Sequence, residues 1–399
     1  MSDMEEKLKK YCTVISGYAF KSQDLSEGTD IPIIKIGNIS NGENIIVDNS
    51  TQYVNKEFLS IDKKYHVLNG DILISLTGSH MNQPNSMVGR CCRNLDDVVY
   101  LLNQRAGKVI PKKTVNKDFL YYVFRLKSIQ YAIANRAYGG ANQVNVSPKD
   151  IMGIKFRIPN FTVQNRIVDI LTTYDKLIEN NNKRIKLLEQ MAENLYKEWF
   201  VRFRFPGYED VEFVGPLPIG WQYQPISESM DFFDSQRVPL SSMQRDEMEK
   251  IYPYYGAAKL MDYVDDYLFD GEYLLLGEDG TVVTTDGFPV LQLVNDKFWV
   301  NNHAHVLRGK GNISTRFLYL TFCRFPITGV VTGSAQPKIS KGRLEKLKIL
   351  VPDAITMEHF NNLINPMFDE INVLKKQLIR ITKQRDMLLP RLMSGKLEV

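Results

Sequence analysis

The stretch GSAQPKISKGRLEKLKILVP, from Gly333 to Pro352, repeats an earlier stretch, GGANQVNVSPKDIMGIKFRIP, from Gly139 to Pro159. Aligned without a gap from Gly140, the two share a glycine, a glutamine, a serine and a proline at a constant offset of 193 residues. Such a pair indicates two copies of one structural unit. The copies therefore predict where the chain divides and what fold each part adopts.

The repeat extends upstream into strand-rich segments. In the first copy, IPIIKIGNIS, GDILISLTGS and VVYLLNQRAGKVI are short apolar or β-branched runs bounded by Gly, Asn, Asp and Pro, which is typical of strands. The second copy has YPYYGAAKLMDYV, GEYLLLGEDGTVV and FWVNNHAHVLRG in the same order. A helical pattern follows in each copy, KDFLYYVFRLKSIQYAI in the first and STRFLYLTFCRFPI in the second. Each copy is therefore predicted to be a mixed unit of strands and helices.

Each copy closes with a long helix whose apolar residues recur every 3.5 residues on average, the period of a coiled coil. About 35 residues make a rod of roughly 50 Å, which needs a partner rod. The two rods are expected to pack on each other, antiparallel if the copies are related by an approximate two-fold axis. The predicted seam positions are Ile167, Ile170, Tyr174, Leu177, Leu188, Met191 and Leu195 in the first helix, and Phe360, Leu363, Met367, Ile371, Leu374, Leu378, Ile381, Leu388 and Leu392 in the second.

Two polar sites interrupt these helices. Asn181 is either a buried seam residue that fixes the register or an exposed member of the NNN run. Asn365 suits an N-cap and Pro366 the first position of a helix, so the main part of the second rod is predicted to start there.

The composition is that of an ordinary globular protein, with 44% hydrophobic and 24% charged residues among 399. The sequence contains no apolar run of about 18 residues and no signal-peptide pattern, so a cytoplasmic location without a membrane partner is predicted. The four cysteines form no C-x-x-C pair and are expected to be reduced, mostly packed thiols. A net charge of +4 neither demands nor excludes a nucleic-acid partner.

Motifs for catalysis are missing from the sequence. There is no Asn/Asp-Pro-Pro-aromatic pocket for methyl transfer and no G-x-x-x-x-G-K-[ST] loop for nucleotide hydrolysis. His303 and His305 would face the same side of a strand, but they lack a convincing third ligand, so no metal site is predicted. Glu278 in the segment GEDG is interpreted as part of a turn, or as a carboxylate that accepts a hydrogen bond from cytosine N4.

Loops rich in amides and hydroxyls are the candidate binding surfaces; for a DNA partner they would offer the paired donors and acceptors, beside phosphate-binding cations, that base reading needs. They are SLTGSHMNQPNSMVGR and NRAYGGANQVNVS in the first copy, and GEDGTVVTTDG and TGSAQPKIS in the second. Gln143 and Gln336 recur in both copies and are expected to serve both halves alike, by backbone contact or loop bracing. The candidate residues are Ser75, Thr77, Ser79, Asn82, Gln83, Asn85, Arg90, Arg136, Tyr138, Asn142, Gln143 and Asn145 in the first copy, and Glu278, Thr281, Thr284, Thr285, Ser334, Gln336 and Lys338 in the second.

The order of these parts resembles the specificity (S) subunit of type I restriction-modification systems. A strand-rich unit, a helix closing in ENLYKEWF, a second strand-rich unit and a helix ending LLPRLMSGKLEV follow one another as in that family. The phrases YVDDYLFDGEYLLLGEDG, KFWVNNHAHVL and TGSAQPKIS are similar to its target-recognition domains. The resemblance covers nearly the whole chain, although only some eleven residues precede the first unit, where the second has the fuller lead-in PLPIGWQYQPISESM.

The resemblance implies an α+β fold with two strand-rich target-recognition domains, related by a pseudo-two-fold repeat and joined and separated by two long antiparallel coiled-coil helices. The corresponding division is residues 1–160 for the first domain, 161–205 for the central spacer helix, 206–353 for the second domain and 354–399 for the C-terminal spacer helix. It also implies a non-catalytic subunit that reads a split, asymmetric sequence of double-stranded DNA, one half per domain.

The partners implied are two methyltransferase (M) subunits and restriction (R) subunits. This chain would need no cofactor of its own, because S-adenosylmethionine belongs to the methyltransferase subunit, and ATP and Mg to the restriction subunit. Two alternatives stay open from the residues alone. A coiled-coil adaptor for other proteins would explain the rods but not the amide-rich loops, and a stand-alone enzyme would have to transfer methyl groups by itself.

Overall fold

The computed structural model describes residues 5–26, 30–42, 44–140, 143–333 and 336–399, apart from the side chain of Asn85. The chain forms two compact units. Unit 1 comprises residues 1–178 and 380–399, and unit 2 comprises residues 179–379. Each unit contains one copy of the repeat together with a part of each long helix.

Unit 1 consists mainly of short strands. The described strands are β1 (Glu6–Lys7), β2 (Cys12–Ser16), β3 (Leu25–Ser26), β4 (Ile31–Ile34), β5 (Gln52–Val54), β6 (His66–Val67), β7 (Ile72–Ser75), β8 (Thr77–Gly78), β9 (Cys91–Arg93), β10 (Tyr100–Leu102), β11 (Ala106–Pro111), β12 (Tyr138–Gly139), β13 (Val144–Asn145) and β14 (Lys155–Phe156). The main antiparallel sheet has the order β2-β11-β7-β9. Strand β7 is buried at every position, because Ile72 and Ile74 pack into one apolar cluster and Leu73 into another on the opposite face of the sheet.

Helices cover this sheet and begin the long rod. They are α1 (Lys117–Arg125), α2 (Lys127–Ala134), α3 (Pro148–Met152) and α4 (Phe161–Tyr196), of which α4 continues into unit 2. Helix α1 starts at Asn116, whose side chain accepts hydrogen bonds from the backbone N–H groups of Asp118 and Phe119. The segment from Phe119 to Phe124 is buried, so α1 forms the apolar centre of unit 1.

Unit 2 has its own set of strands and short helices. Its described strands are β15 (Phe213–Val214), β16 (Leu217–Pro218), β17 (Gln222–Pro225), β18 (Met230–Phe232), β19 (Tyr252–Tyr255), β20 (Leu260–Val264), β21 (Phe269–Asp270), β22 (Tyr273–Gly277), β23 (Leu291–Val294), β24 (Lys297–Val300), β25 (Ala304–Gly309), β26 (Val331–Thr332), β27 (Lys338–Ile339) and β28 (Lys348–Val351). Its helices are α5 (Ile226–Ser229), α6 (Ser242–Asp246), α7 (Thr315–Phe322), α8 (Lys341–Leu344) and the long α9 (Ala354–Met393), which ends in unit 1.

The two units repeat one topology. The order β18-β25-β22-β23 in unit 2 corresponds strand for strand to β2-β11-β7-β9 in unit 1, and every pair in both is antiparallel. The second sheet of each unit contains one parallel pair, β4 with β10 in unit 1 and β19 with β24 in unit 2. The predicted α+β fold with two repeated strand-rich domains is thereby confirmed.

The long helices pack against each other within each unit. In unit 2, Asn181 contacts Gln377 and Tyr196 contacts Phe360, so α4 and α9 run antiparallel there. In unit 1, the remaining part of α4 meets the end of α9, which adds Leu389, Leu392 and Met393 to the apolar core. Asn181 is 5% exposed and its Nδ2 donates to Gln377 Oε1 over 3.2 Å, so it belongs to the buried face of α4.

Three residues predicted to lie on the contact face of the long helices are exposed instead. Leu177 and Met191 in α4 and Leu363 in α9 are exposed by 45%, 52% and 45%. Positions one or several residues away, Leu171, Ile185, Ala192 and Ile364, are buried in their place. A real coiled-coil face also includes small and polar residues, which a search for large apolar side chains misses.

The predicted start of the second rod at Asn365 is wrong, because α9 runs without interruption from Ala354 to Met393. Pro366 lacks an N–H group, but burial of Ile364 and Phe368 on either side keeps the segment helical. The Arg316 side chain also donates to the Asn365 carbonyl over 2.8 Å.

The cysteines are free, as predicted, and three of them are buried. Burial raises the pKa of Cys12 and of Cys92 to about 12, so both remain protonated at neutral pH. Among the described helices, none combines the length and apolar character required to cross a bilayer.

Candidate nucleic-acid interface

Three hydroxyl residues of the first predicted loop in unit 1 lie inside the protein. Ser75, Thr77 and Ser79 are 0%, 4% and 6% exposed. Ser75 Oγ accepts from the Arg90 backbone N–H over 3.0 Å, and Ser79 Oγ donates to the Gln83 carbonyl over 2.6 Å. These hydroxyls hold the loop in shape and present no free group on the surface.

The amides of the same loop are on the outside. Asn82 and Gln83 are both exposed at the turn that follows β8. Arg90 is partly buried, and its Nη2 donates to the Ile36 carbonyl over 2.9 Å. Burial lowers the pKa of Arg90, although an arginine remains charged at neutral pH. The side chain of the remaining candidate, Asn85, lies outside the described atoms.

Strand β13 joins this loop to the second predicted loop of unit 1. Val144 and Asn145 pair with Gly78 and Thr77, and the Thr77 hydroxyl donates to Asn145 Oδ1 over 2.7 Å. The structure thus brings together two loops that are about 65 residues apart in the chain. Three further candidates are exposed, and Asn142 lies outside the described residues; the exposed ones are Arg136, Tyr138 and Gln143.

Unit 2 repeats this pairing of loops. Asp279 forms a bridge with Lys338, and the Gly280 N–H donates to the Pro337 carbonyl over 3.0 Å. Gly280 has φ +81°, a conformation that suits glycine, which agrees with the predicted turn in GEDG. Ser334 lies outside the described residues, whereas four candidates are exposed on the two loops: Thr281, Thr284, Thr285 and Gln336.

Glu278 and Lys338 pair with other charged groups. The Glu278 side chain is 15% exposed, with Oε2 at 2.6 Å from Arg237 Nη1 and Oε1 at 3.4 Å from Lys338 Nζ. The Lys338 side chain is 51% exposed, so its ammonium group remains open to solvent beside this ion pair. Lys338 can therefore face a phosphate, while the Glu278 carboxylate is engaged on both oxygens.

His305 on β25 and His303, just before the strand, have different surroundings. His303 is exposed and contacts Asp279. His305 is 1% exposed, with Nδ1 at 2.7 Å from Asp234 Oδ2 and Nε2 at 2.8 Å from the Ile339 carbonyl. Both ring nitrogens of His305 are thus occupied by protein acceptors.

Asp234, Glu278 and His305 have ligand atoms within 4.8 Å of one another, a spacing that could suit a metal ion. Arg237, however, forms ion pairs with both carboxylates, at 2.6 Å from Glu278 and 3.8 Å from Asp234, and Lys338 adds a second positive charge at 3.4 Å from Glu278. A cation would have to displace this guanidinium group and break the hydrogen bonds of His305. The cluster is therefore better described as a buried ion-pair network.

Burial by itself would raise the pKa of the Asp234 carboxyl group. The hydrogen bond from His305, the backbone N–H of Val306 and the positive charge of Arg237 act in the opposite direction and hold this pKa below its usual value. Sequence reasoning missed Asp234 and Arg237, because neither lies in an amide-rich loop.

The sequence matches the family model described as type I restriction modification DNA specificity domain over residues 1–190 and 218–375. The MjaIX specificity subunit of a type I restriction enzyme from Methanocaldococcus jannaschii is 26% identical, across 74% of this chain and 73% of that protein. A putative type I specificity subunit from Haemophilus influenzae is 32% identical across 33% of each chain.

A solved structure shows the same fold. The S subunit of a type I restriction-modification system from M. genitalium superimposes with a TM-score of 0.59 and 14% identity, covering 98% of this chain and 95% of that one. At this level of identity the likeness concerns the arrangement of strands and helices only.

Proposed function

Since this chain belongs to the family of type I restriction-modification DNA specificity domains, we propose that its two units read the two halves of one split, asymmetric DNA sequence. Each unit would contact one half through its pair of joined loops. The long helices would hold the two readers at a set distance. In this proposal the chain is non-catalytic and acts in the cytoplasm.

The observation that carries the proposal is the repeated pairing of loops. In each unit, the loop after the central strand of the main sheet is tied to a second loop by a short β contact. Exposed amides or hydroxyls lie on the joined loops in both units, together with a cation: Arg136, two residues before β12, in unit 1 and Lys338, on β27, in unit 2. This combination of hydrogen-bonding side chains and phosphate-binding cations is what base readout requires.

Differences between the units favour two different half-sites. Unit 1 presents the amides of Asn82 and Gln83, whereas the equivalent loop of unit 2 presents threonines at Thr281 and Thr284. Amides form bidentate contacts with adenine, while a threonine contacts bases through a hydroxyl or a methyl group. Two surfaces with different chemistry would select different base sequences, so the recognised sequence would be asymmetric.

The partners we propose are two methyltransferase subunits and the restriction subunits of the complex. A surface that occurs once in each repeat would bind the same partner twice. The docking sites would be the exposed residues around ENLYKEWF and LLPRLMSGKL, because Trp199, Phe200 and Leu392 are buried in the apolar cores. S-adenosylmethionine would be bound by the methyltransferase subunits, and ATP and Mg by the restriction subunits. This chain would supply DNA recognition and assembly.

A gel-shift experiment with pooled duplexes, carried out with the methyltransferase subunit present, tests DNA recognition. We expect selection of duplexes that share two short sequence elements separated by a constant unspecified spacer. Native mass measurement of the co-expressed complex should give two methyltransferase subunits per chain.

Two outcomes would contradict the proposal. Stable assembly with the methyltransferase but no sequence preference would favour the coiled-coil adaptor. Methyl transfer to DNA by the purified chain alone would establish a stand-alone enzyme.

A further inference from the structure

The ion-pair network of unit 2 links three separate chain segments. Asp234 lies in the turn after β18, Glu278 directly follows β22, and His305 is on β25. Arg237 connects them, because its Nε donates to the Asp234 carbonyl over 2.9 Å and its Nη1 contacts Glu278 Oε2 over 2.6 Å. The same Nη1 donates to the Ala304 carbonyl over 2.7 Å.

This network also holds the backbone of both predicted reading loops. His305 Nε2 contacts the Ile339 carbonyl, at the end of the second loop. The Ile339 N–H donates to the Glu278 carbonyl over 2.8 Å, and the Glu278 N–H donates to the His303 carbonyl over 2.8 Å. A shift of the Glu278 or His305 side chain would therefore move the segments that carry the exposed reading residues.

The network members are shielded from solvent. The side chains of Asp234, Arg237 and Glu278 are 13%, 12% and 15% exposed, and that of His305 is 1% exposed. Charged groups at this depth keep one geometry only if their partners remain in place, because an unpaired charge there is costly. The network is therefore suited to fixing positions and poorly suited to touching bases.

Unit 1 lacks such a network at the equivalent positions. The ladders align Ala106 with Ala304 and Ser75 with Gly277, so Gly107 stands in the place of His305 and Leu76 in the place of Glu278. A Cβ atom on Gly107 would lie 3.1 Å from the Leu76 side chain, which leaves no room for an imidazole ring. In unit 1, the loops are joined instead by the neutral hydrogen bond of Thr77 with Asn145.

We propose that Asp234, Arg237, Glu278 and His305 are positioning residues that set the specificity of unit 2 for its half-site. Base contacts in this unit are then made by the exposed side chains of Thr281, Thr284 and Thr285, and the ionic network determines where those side chains stand. The inference rests on the proposed function, since it assigns roles within the DNA-reading surface.

Two substitutions test it in the complex with the methyltransferase subunit. Glu278→Gln preserves the volume of the side chain but removes its charge, and Arg237→Lys preserves the charge but removes the planar fork of donors. We expect each variant to lose about tenfold of its preference for the cognate second half-site, the size of one misplaced base contact. Preference for the first half-site should be unchanged.

The measurement compares the affinity for the cognate duplex with that for duplexes in which only one half-site is scrambled. Lys376→Gln is the matched control, because it removes an exposed ion pair with Asp296 in the same unit and should alter neither preference. Thr77→Val is the reciprocal variant and should weaken selection of the first half-site only. Circular dichroism and thermal unfolding of each variant establish that it is folded.

The outcomes separate this inference from the proposed function. Wild-type protein without a preference for a split sequence would refute the proposed function. A wild-type preference that persists in folded Glu278→Gln would overturn the positioning role alone, as would an equal loss at both half-sites. If Arg237→Lys does not fold, Glu278→Gln decides.

Discussion

Asp175 in α4 is a largely shielded carboxylate whose removal should destabilise unit 1. Its carboxylate accepts from the Tyr122 hydroxyl over 2.7 Å and from Arg385 Nη1 over 3.0 Å, and lies 3.7 Å from Arg125 Nη1. The side chains of Arg125 and Arg385 are only 8% and 10% exposed. After Asp175→Ala, Asp386 would be the remaining carboxylate that pairs with Arg125 and Arg385 in this cluster. The Asp386 side chain is 54% exposed, so it compensates only in part.

The expected cost follows from these distances and exposures. Removing one partner of a buried ion pair costs about 3–5 kcal/mol. Asp175 is 19% exposed and Asp386 retains part of the pairing, so we expect the lower end, about 3 kcal/mol. Asp175→Asn keeps an acceptor for Tyr122 and should cost about half as much. For a unit of about 200 residues, 3 kcal/mol corresponds to a fall in Tm of about 6–12 °C.

Urea unfolding followed by circular dichroism and by tryptophan fluorescence measures this loss. Trp199, Trp221 and Trp299 all lie in unit 2, so fluorescence reports that unit, whereas circular dichroism reports both. In Asp175→Ala, the midpoint of the circular dichroism transition should move to a lower urea concentration than in wild type. The midpoint of the fluorescence transition should move by the same amount or less, because the tryptophans report unit 2 only. Glu189→Ala, which removes an exposed ion pair with Lys375, is the control and should cost no more than about 0.5 kcal/mol. A loss below about 1 kcal/mol for Asp175→Ala would refute the reasoning.

Four further results are expected. Exchanging residues 12–158 for the equivalent part of another specificity subunit should change one half of the methylated sequence and leave the other half and the spacer alone, as methylome sequencing would show. Inserting four residues after Asn181, matched by four near Leu374, should add about 6 Å of helix and lengthen the spacer by about one or two base pairs; an unchanged spacer in an active complex would mean that the helices do not set it. Wild type should be more stable than Asp234→Asn at neutral pH, and this difference in the free energy of unfolding should shrink as the pH falls below 3.8, the ordinary pKa of an aspartate. The reason is that a carboxyl group with a lowered pKa stabilises the fold only while it is ionised, so a difference that grows on acidification would contradict the expectation. Burial raises the pKa of Cys323 to about 11, so it should react slowly with a disulfide reagent, yet before the other three thiols, which need unfolding.

The sequence predicts the repeat well because both copies keep their strand-forming runs in the same order. It predicts the contact face of the long helices less well. Leu177 and Met191 fit a period of 3.5 but are exposed, while Ala192 is fully buried. The buried face is decided by which residues fit against the partner helix, and a small side chain that allows close approach has no strong apolar signal.

The candidate interface shows a similar division. Loop composition identifies segments that the structure brings together in pairs, through Thr77 with Asn145 and Asp279 with Lys338. Loop composition does not distinguish side chains that face solvent from those that brace the loop. Ser75 and Asn82 are both polar residues of the same segment, yet Ser75 is buried and Asn82 is exposed. Arg237 is 41 residues from Glu278 in the chain, and only the tertiary structure reveals their contact.

Unit 1 is assembled from two segments that are far apart in the chain, residues 1–178 and 380–399, so the whole of unit 2 is synthesised between them. Leu389, Leu392 and Met393 are part of its apolar core, together with residues made before position 178. At translation rates of about 5–20 residues per second, the ribosome needs roughly 10–45 s to reach them after residue 178. The part made first thus completes its core last, after all of unit 2 has emerged. A transcript cut short before these residues would yield a chain with an unfinished unit 1, a natural substrate for cellular proteases.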